Sequence, residues 1–470
     1  MQTHVLRVVP LAFLIGLALE ATCARIRAED SRPNIVLMMA DDMGFSDLGC
    51  YGSEIPTPHL DRLAQSGIAY ANFTNTSRCC PSRASLMTGM YSHQVGMGAM
   101  TSKGKGSAYQ GQLSASIETL PEILGRQGYS TAMVGKWHLT LSKTIDSGPN
   151  GSWPLQRGFQ KFYGTMEGAK NYFRPKWLFD QQNEVLEFKP GFYYTDAITR
   201  RAARWINQQP ASKPLFLYTA FYAPHFPLQA PQQSIEKHLG KYQVGWDELR
   251  RLRLQRQKEL GLMPNEQLLS ERPADVPTWK SLSQEHRDAL DLRMATYAAQ
   301  VELLDAGVGR ILDALESTGR SQNTLILFLS DNGAASNGAA FGAGPTDQVG
   351  KASAPIVTTY GKGWATLSNT PFRMHKANTH EGGIRAPLIV KKPASIIDQI
   401  APESSIAWSQ DMVHIIDIAP TILNVARCNE EASLHMSGID FLVSNRQVER
   451  RGCLDVHKTV LDRGCAWKLR

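Results

Sequence analysis

Cysteine is scarce in this chain: seven residues in 470, far too few for a disulfide scaffold, and odd in number, so at least one stays unpaired. Long apolar runs are missing as well. Beyond the first 28 residues nothing offers the roughly 20 consecutive apolar residues of a membrane span, so no stable membrane insertion is expected. Charged residues make up only 20% of the chain against 42% hydrophobic, which excludes disordered, collagen-like and coiled-coil classes. Neither sign dominates. Lysine and arginine number 50 and the acids 43, a net charge of +7, too small and too dispersed for a nucleic-acid binder. An anionic substrate is the milder implication. No internal repeat is present.

Residues 1–28 read as a secretory signal peptide. Arg7 supplies the positive start, Val8 to Leu19 the apolar run, and Ala21, Thr22, Ala24 and Ala28 the small residues before a cut after Ala24 or Ala28. Pro10 would interrupt the alternative, a buried first helix. An exported protein, periplasmic or secreted, is expected.

Short apolar runs recur at Asn34–Ala40, Thr131–Val134, Leu215–Ala220, Leu325–Leu329 and Pro387–Val390. Between them lie helical patterns at Pro58–Ser66, Leu120–Gln127, Tyr194–Gln208, Ala295–Glu316 and His414–Val425. This alternation predicts an α/β fold with a large, mostly parallel sheet flanked by helices. In such sheets ligands sit outside the carboxyl ends of the strands, so the polar residues that close the runs matter most. Two stretches depart from the alternation. Residues 232–290 are charge-rich, and Arg250, Arg251, Arg253, Arg256 and Lys258, interleaved with Asp247, Glu248 and Glu259, predict a solvated helix face in an inserted hairpin. Residues 333–368 are rich in Gly, Ala and Ser and predict a surface loop.

The strongest local signal is Cys79-Cys80-Pro81-Ser82-Arg83, followed by small residues and Thr88-Gly89. By itself the cysteine pair is also compatible with a structural or metal-binding role. Asp41-Asp42 closes the first run and Asp331-Asn332-Gly333 the fourth; each alone is weak, since Asp-Asn-Gly is more often a turn. Two such strand ends together offer hard oxygen ligands for a divalent cation. Gly135-Lys136-Trp137-His138 follows the second run, Pro224-His225-Phe226-Pro227 the third, and Asn369 to Lys376 leads to Glu381-Gly382-Gly383-Ile384-Arg385.

These elements, in this chain order, resemble the signatures of the type I, formylglycine-dependent sulfatases, bacterial arylsulfatases in particular, within the alkaline-phosphatase superfamily. The stretch from Gly245-Trp246-Asp247 to Leu262 is similar to theirs too. The resemblance implies that Cys79 is oxidised to Cα-formylglycine by a formylglycine-generating enzyme. It implies a cation, calcium or else magnesium, at Asp41, Asp42, Asp331, Asn332 and residue 79. Lys136, His138, His225 and Lys376 would be catalytic or sulfate-binding residues, and Arg83 would support the cluster. The chemistry is consistent: a thiol is a poor nucleophile toward a sulfate ester, whereas a hydrated aldehyde carries two hydroxyls, one to attack sulfur and one to expel sulfate. Gly382 and Gly383 are expected to serve backbone geometry and Arg385 an ion pair.

The expected function is therefore hydrolysis of small-molecule or saccharide sulfate esters. A phosphonate or phosphate ester hydrolase of the same superfamily, or a sulfoglycan-binding protein with an unoxidised Cys79, are the alternatives. The expected organisation is a catalytic α/β domain at 29–427, followed by a short or truncated α+β subdomain at 428–470.

Overall fold

The computed structural model describes residues 32–168, 170–396, 406–428 and 433–442. The expected leader at 1–28 and most of the 428–470 tail lie outside the described residues.

Ten strands form one sheet: β1 Asn34–Asp41, β2 Ile68–Thr74, β3 Ser130–Lys136, β4 Lys161–Thr165, β5 Leu178–Asp180, β6 Asn183–Glu184, β7 Leu215–Pro224, β8 Thr324–Ser330, β9 Leu388–Lys391 and β10 Ala407–His414. Their spatial order is β10-β2-β9-β8-β1-β7-β3-β4-β5-β6. The central run β8-β1-β7-β3-β4 is parallel throughout, while β9, β5 and β6 add antiparallel pairings. All residues of β1, β7 and β8 are buried, as central parallel strands must be when helices cover both faces of the sheet. One apolar core lies on each face. Val36 and Met38 of β1 enter one, Ile35, Leu37 and Met39 the other, following the two-residue period of a strand.

The expected fold class is present, and the five anticipated strands appear with small shifts of their ends. Four differences have physical reasons. The helix expected from Ala295 begins at Gln284, where the Ser283 hydroxyl accepts the His286 backbone N–H as an N-cap. The helix expected from His414 begins at Ile418, because Ala407–His414 pairs beside β2 as an edge strand. Within the small-residue stretch 333–368, Gly361–Ser368 is a helix that is almost wholly buried. The charged helix Gly245–Glu259 is only half solvated: Arg251 and Arg256 are exposed, but Arg250 and Arg253 are buried. That helix is locked against the body through Trp246, whose ring meets those of Trp279 and Trp364 edge-on at 4.8 and 5.3 Å. Such pairs contribute about 0.5–1.5 kcal/mol each beyond the area they bury.

Residues 433–442 lie against the main body. The Ser437 and Gly438 N–H groups donate to the Gly89 carbonyl, and Phe441 meets Tyr70 edge-on. No helix among the described residues is long and apolar enough to cross a membrane.

Candidate active site

Four adjacent parallel strands, β8, β1, β7 and β3, bring their carboxyl ends together, and each delivers a polar group there. β1 ends in Asp41 and is followed by Asp42, whose φ of 64° turns the chain away from the sheet. Asp331 and Asn332 follow β8, His225 follows β7, and Lys136 ends β3 with His138 two residues on. The turn after β3 depends on Gly135: at φ 101°, a Cβ there would sit 1.8 Å from the Ala220 carbonyl oxygen. Cys79 opens the helix Cys79–Thr88, with its N-terminus at the site and every side chain of it buried. Unpaired N–H groups at that end favour an anion. Lys376 arrives on the segment after the cis Thr370–Pro371 bond. Every site residue expected from sequence therefore lies in one cluster.

Its contacts are ionic and dense. Lys136 Nζ is 2.5 Å from Asp41 Oδ2, and Lys376 Nζ is 2.6 Å from Asp42 Oδ1. Arg83, one helical turn after Cys79, donates to Asp331 Oδ2 at 2.8 Å and to the Lys136 carbonyl at 2.8 Å. Asp42 N–H donates to Asp331 Oδ1, and Asn332 Nδ2 to Asp42 Oδ1, cross-linking the ends of β1 and β8. His225 donates from Nδ1 to the Phe226 carbonyl, leaving Nε2 facing Asp42 Oδ2 at 3.4 Å. His138, at φ 60°, is buried, and its Nδ1 has no hydrogen-bond partner among the described residues.

Burial and charge pull the titrations apart. Burial opposes ionisation of Asp41, but the positive charges of Lys136, Arg83 and Lys376, joined by His225 once its ring is protonated, outweigh it and hold the carboxyl below the usual range. Asp331 is pushed up to about 7 by burial and by the neighbouring Asp41. Burial lowers His138 well below the ordinary imidazole value and His225 to about 4, so both rings are neutral at pH 7. Lys136 and Lys376 are desolvated, yet the nearby carboxylates hold both ammoniums charged. Burial raises the Cys79 thiol, which keeps it protonated and unreactive as it stands.

Three buried oxygens aimed into this cluster have no hydrogen-bond partner among the described residues: Asp41 Oδ1, Asp42 Oδ2 and Asn332 Oδ1. Asp41, Asp42 and His225, and likewise Asp41, Cys79 and Asp331, each offer atoms close enough to share one ion. The carboxylate and amide oxygens among them suit a hard divalent cation.

Two contributors were not anticipated. Tyr222 stacks on His225 at 5.0 Å and lies 5.8 Å from the Lys136 ammonium. Its position two residues before Pro224-His225 was the available signal. Asn75 donates to the Ser330 carbonyl, tying the loop before Cys79 to the end of β8. Arg385 pairs with Glu381 and the Ala71 carbonyl, and Gly382 and Gly383 admit close backbone approaches, as expected of them.

A sulfatase family model matches residues 33–427. A sulfatase of Schizosaccharomyces pombe is 34% identical over 441 residues, covering 85% of this chain and 76% of the relative. An arylsulfatase of Klebsiella aerogenes is 32% identical over 432 residues, covering 87% and 89% respectively. Among solved structures, Ps i-CgsB in complex with k-i-k-neocarrahexaose aligns with a TM-score of 0.60 at 26% identity, over 87% of this chain and 75% of that one. With that family match spanning the site-bearing strands, the chain belongs to the sulfatase family, a sulfate ester hydrolase on an alkaline-phosphatase-like fold.

Proposed function

We propose that this chain hydrolyses sulfate monoesters, aryl and saccharide esters being the classes to test, with residue 79 in its formylglycine form and one divalent cation, calcium foremost. The observation that carries the reading is the meeting of Cys79, at a helix N-terminus, with three carboxylates and three permanent cations at four neighbouring strand ends. The likeness to the Klebsiella arylsulfatase supports aryl esters, and the neocarrahexaose complex supports saccharide esters.

Asp41, Asp42, Asp331 and Asn332 would hold the cation, with residue 79 beside it; their unpartnered oxygens support this. When bound, the cation supplies Lewis-acid polarisation and positive charge. Arg83, Lys136 and Lys376 face Asp41, Asp42 and an Asp331 pushed up to about 7, so an added divalent charge makes the site net positive and receptive to a sulfate anion. A formylglycine at position 79, made by a formylglycine-generating enzyme, would on adding water to its aldehyde supply a pair of hydroxyls where the thiol is inert.

Lys136, Lys376 and His225 would bind the sulfate oxygens, which places preorganised positive charge where negative charge builds in the transition state. Lys376, kept protonated by its carboxylate neighbours, can donate to the departing ester oxygen; His225, neutral at pH 7, could do so only after taking up a proton. His138 has the opposite task. Burial keeps its imidazole neutral, so it can accept a proton from the hydrated side chain of residue 79. Arg83 donates to Asp331 and to the Lys136 carbonyl and so would position both.

Parallel assays on aryl sulfate, sulfated saccharide and aryl phosphate esters test this reading, with Cys79→Ala as the control. Sulfate esters are expected to turn over preferentially and Cys79→Ala to be inactive. Wild-type turnover rates in the Cys79→Ala variant would defeat the assignment.

A further inference from the structure

We infer that Arg253 is a positioning residue for the Asp41–Asp42 carboxylate pair, acting through Asp47. The inference rests on reading that pair as a cation site. Arg253 lies on the charged helix Gly245–Glu259, where sequence pattern pointed to a solvated face, yet its side chain is only 1% exposed. A buried guanidinium must place its donors, and this one does. Nη1 donates to Asp47 Oδ1 at 2.8 Å and to the Ser46 carbonyl and hydroxyl at 3.0 Å each. Nε and Nη2 engage both oxygens of Glu54 at 2.8 and 2.7 Å.

Asp47 is the link to the site. Its Oδ2 accepts the Gly44 N–H at 2.9 Å and the Tyr297 hydroxyl at 2.6 Å, closing the turn that starts at Asp42. The far side of that turn is packed without slack: a Cβ on Gly44 would lie 2.4 Å from the Ser368 carbonyl oxygen. Asp42, two residues before Gly44, lies at positive φ, and its two oxygens face Lys376 and His225. One turn further along the same helix face, Gln257 donates to the Tyr51 and Thr370 carbonyls. Thr370 begins the segment that carries Lys376. A single helix face thus braces the loop after the carboxylate pair and the loop that brings the lysine.

Loss of an ion pair that merely stabilised the fold would lower the melting temperature and leave ion affinity alone. Calcium titration calorimetry on chelator-stripped wild type, Arg253→Lys and Tyr297→Phe separates the two roles, with kcat and KM measured on an aryl sulfate. Arg253→Lys keeps the charge but loses the fork that spans Glu54 and Asp47; Tyr297→Phe removes one hydroxyl and little else. The expected result is that wild type binds calcium, that Arg253→Lys weakens it roughly 10–100-fold, and that Tyr297→Phe shifts it in the same direction. In both, kcat falls while KM for the ester stays close to wild type. If Arg253→Lys does not fold, Tyr297→Phe decides alone. Folded variants with wild-type calcium affinity and kcat overturn the inference, whereas a wild type that binds no divalent cation overturns the underlying reading of the site.

Discussion

At the residue scale the site is a balance of buried charges, and Arg83 shows what that balance costs to break. Its guanidinium, fully buried, faces Asp331 at 2.8 Å and Asp41 at 3.7 Å. Removing one partner from such a cluster leaves a carboxylate desolvated and unpaired. Arg83→Met should therefore destabilise the fold by about 3–5 kcal/mol, read from urea unfolding, and raise the pKa of Asp331 further. Asp331 in turn owes its raised value to burial and to Asp41, so Asp331→Asn should be far better tolerated in stability than Arg83→Met. The same unfolding experiment compares them. Cys79, Arg83, Lys136 and Lys376 stood out in the sequence because each lies in a short motif: Cys79 and Arg83 two residues either side of Pro81, Lys136 directly after Gly135, and Lys376 in the run that leads to Glu381-Gly382-Gly383. Tyr222, two residues before Pro224-His225, and Asn75 did not, since nearness to a motif does not say what a side chain will touch until the partner strand is known.

At the scale of elements, the buried helix Gly361–Ser368 and the segment carrying Lys376 are joined by His375. Its Nε2 lies 2.9 Å from the Thr366 hydroxyl, and burial, with Lys362 and Arg250 nearby, lowers it to about 4. The unfolded imidazole titrates near 6.5, so between these values the unfolded chain binds the extra proton. Stability tied to this ring is fully present above pH 6.5 and is lost as pH falls toward 4, by up to about 3 kcal/mol. His375→Gln should flatten that part of the stability profile, measured as the difference between wild-type and variant unfolding free energies at pH 7 and pH 4.5. Sequence missed this helix because its glycines and small residues read as a loop, although in three dimensions they fit a tight interior. It also misread Arg250 and Arg253. Arginines and acids alternating along a helix predict a solvated face, and only the docking of Trp246 against Trp279 and Trp364 decides which of them turns inward.

At the scale of the whole molecule, motifs scattered from Asp41 to Lys376 converge on one end of one sheet, which is why a chain long enough for about three domains behaves over most of its length as a single α/β body. The central parallel strands were legible because burial on both faces forces continuous apolar runs. β10 was not, since Ser409, Gln410 and Asp411 on an edge strand carry no such run. A cation that binds the folded chain and not the unfolded one must stabilise the whole body by mass action. Calcium at about 100 times its dissociation constant should add about 2.7 kcal/mol, seen as a rise in melting temperature that a chelator reverses. A melting temperature indifferent to calcium, magnesium and chelator would argue against the cation site.

The central claim is that residue 79 works as an aldehyde and not as a cysteine. Mass spectrometry of the peptide spanning residues 79–83, taken from enzyme with measured sulfate ester turnover, tests it most directly. The account predicts Cα-formylglycine at position 79 in a fraction that tracks specific activity across preparations; fully active enzyme carrying only unmodified Cys79 would contradict it.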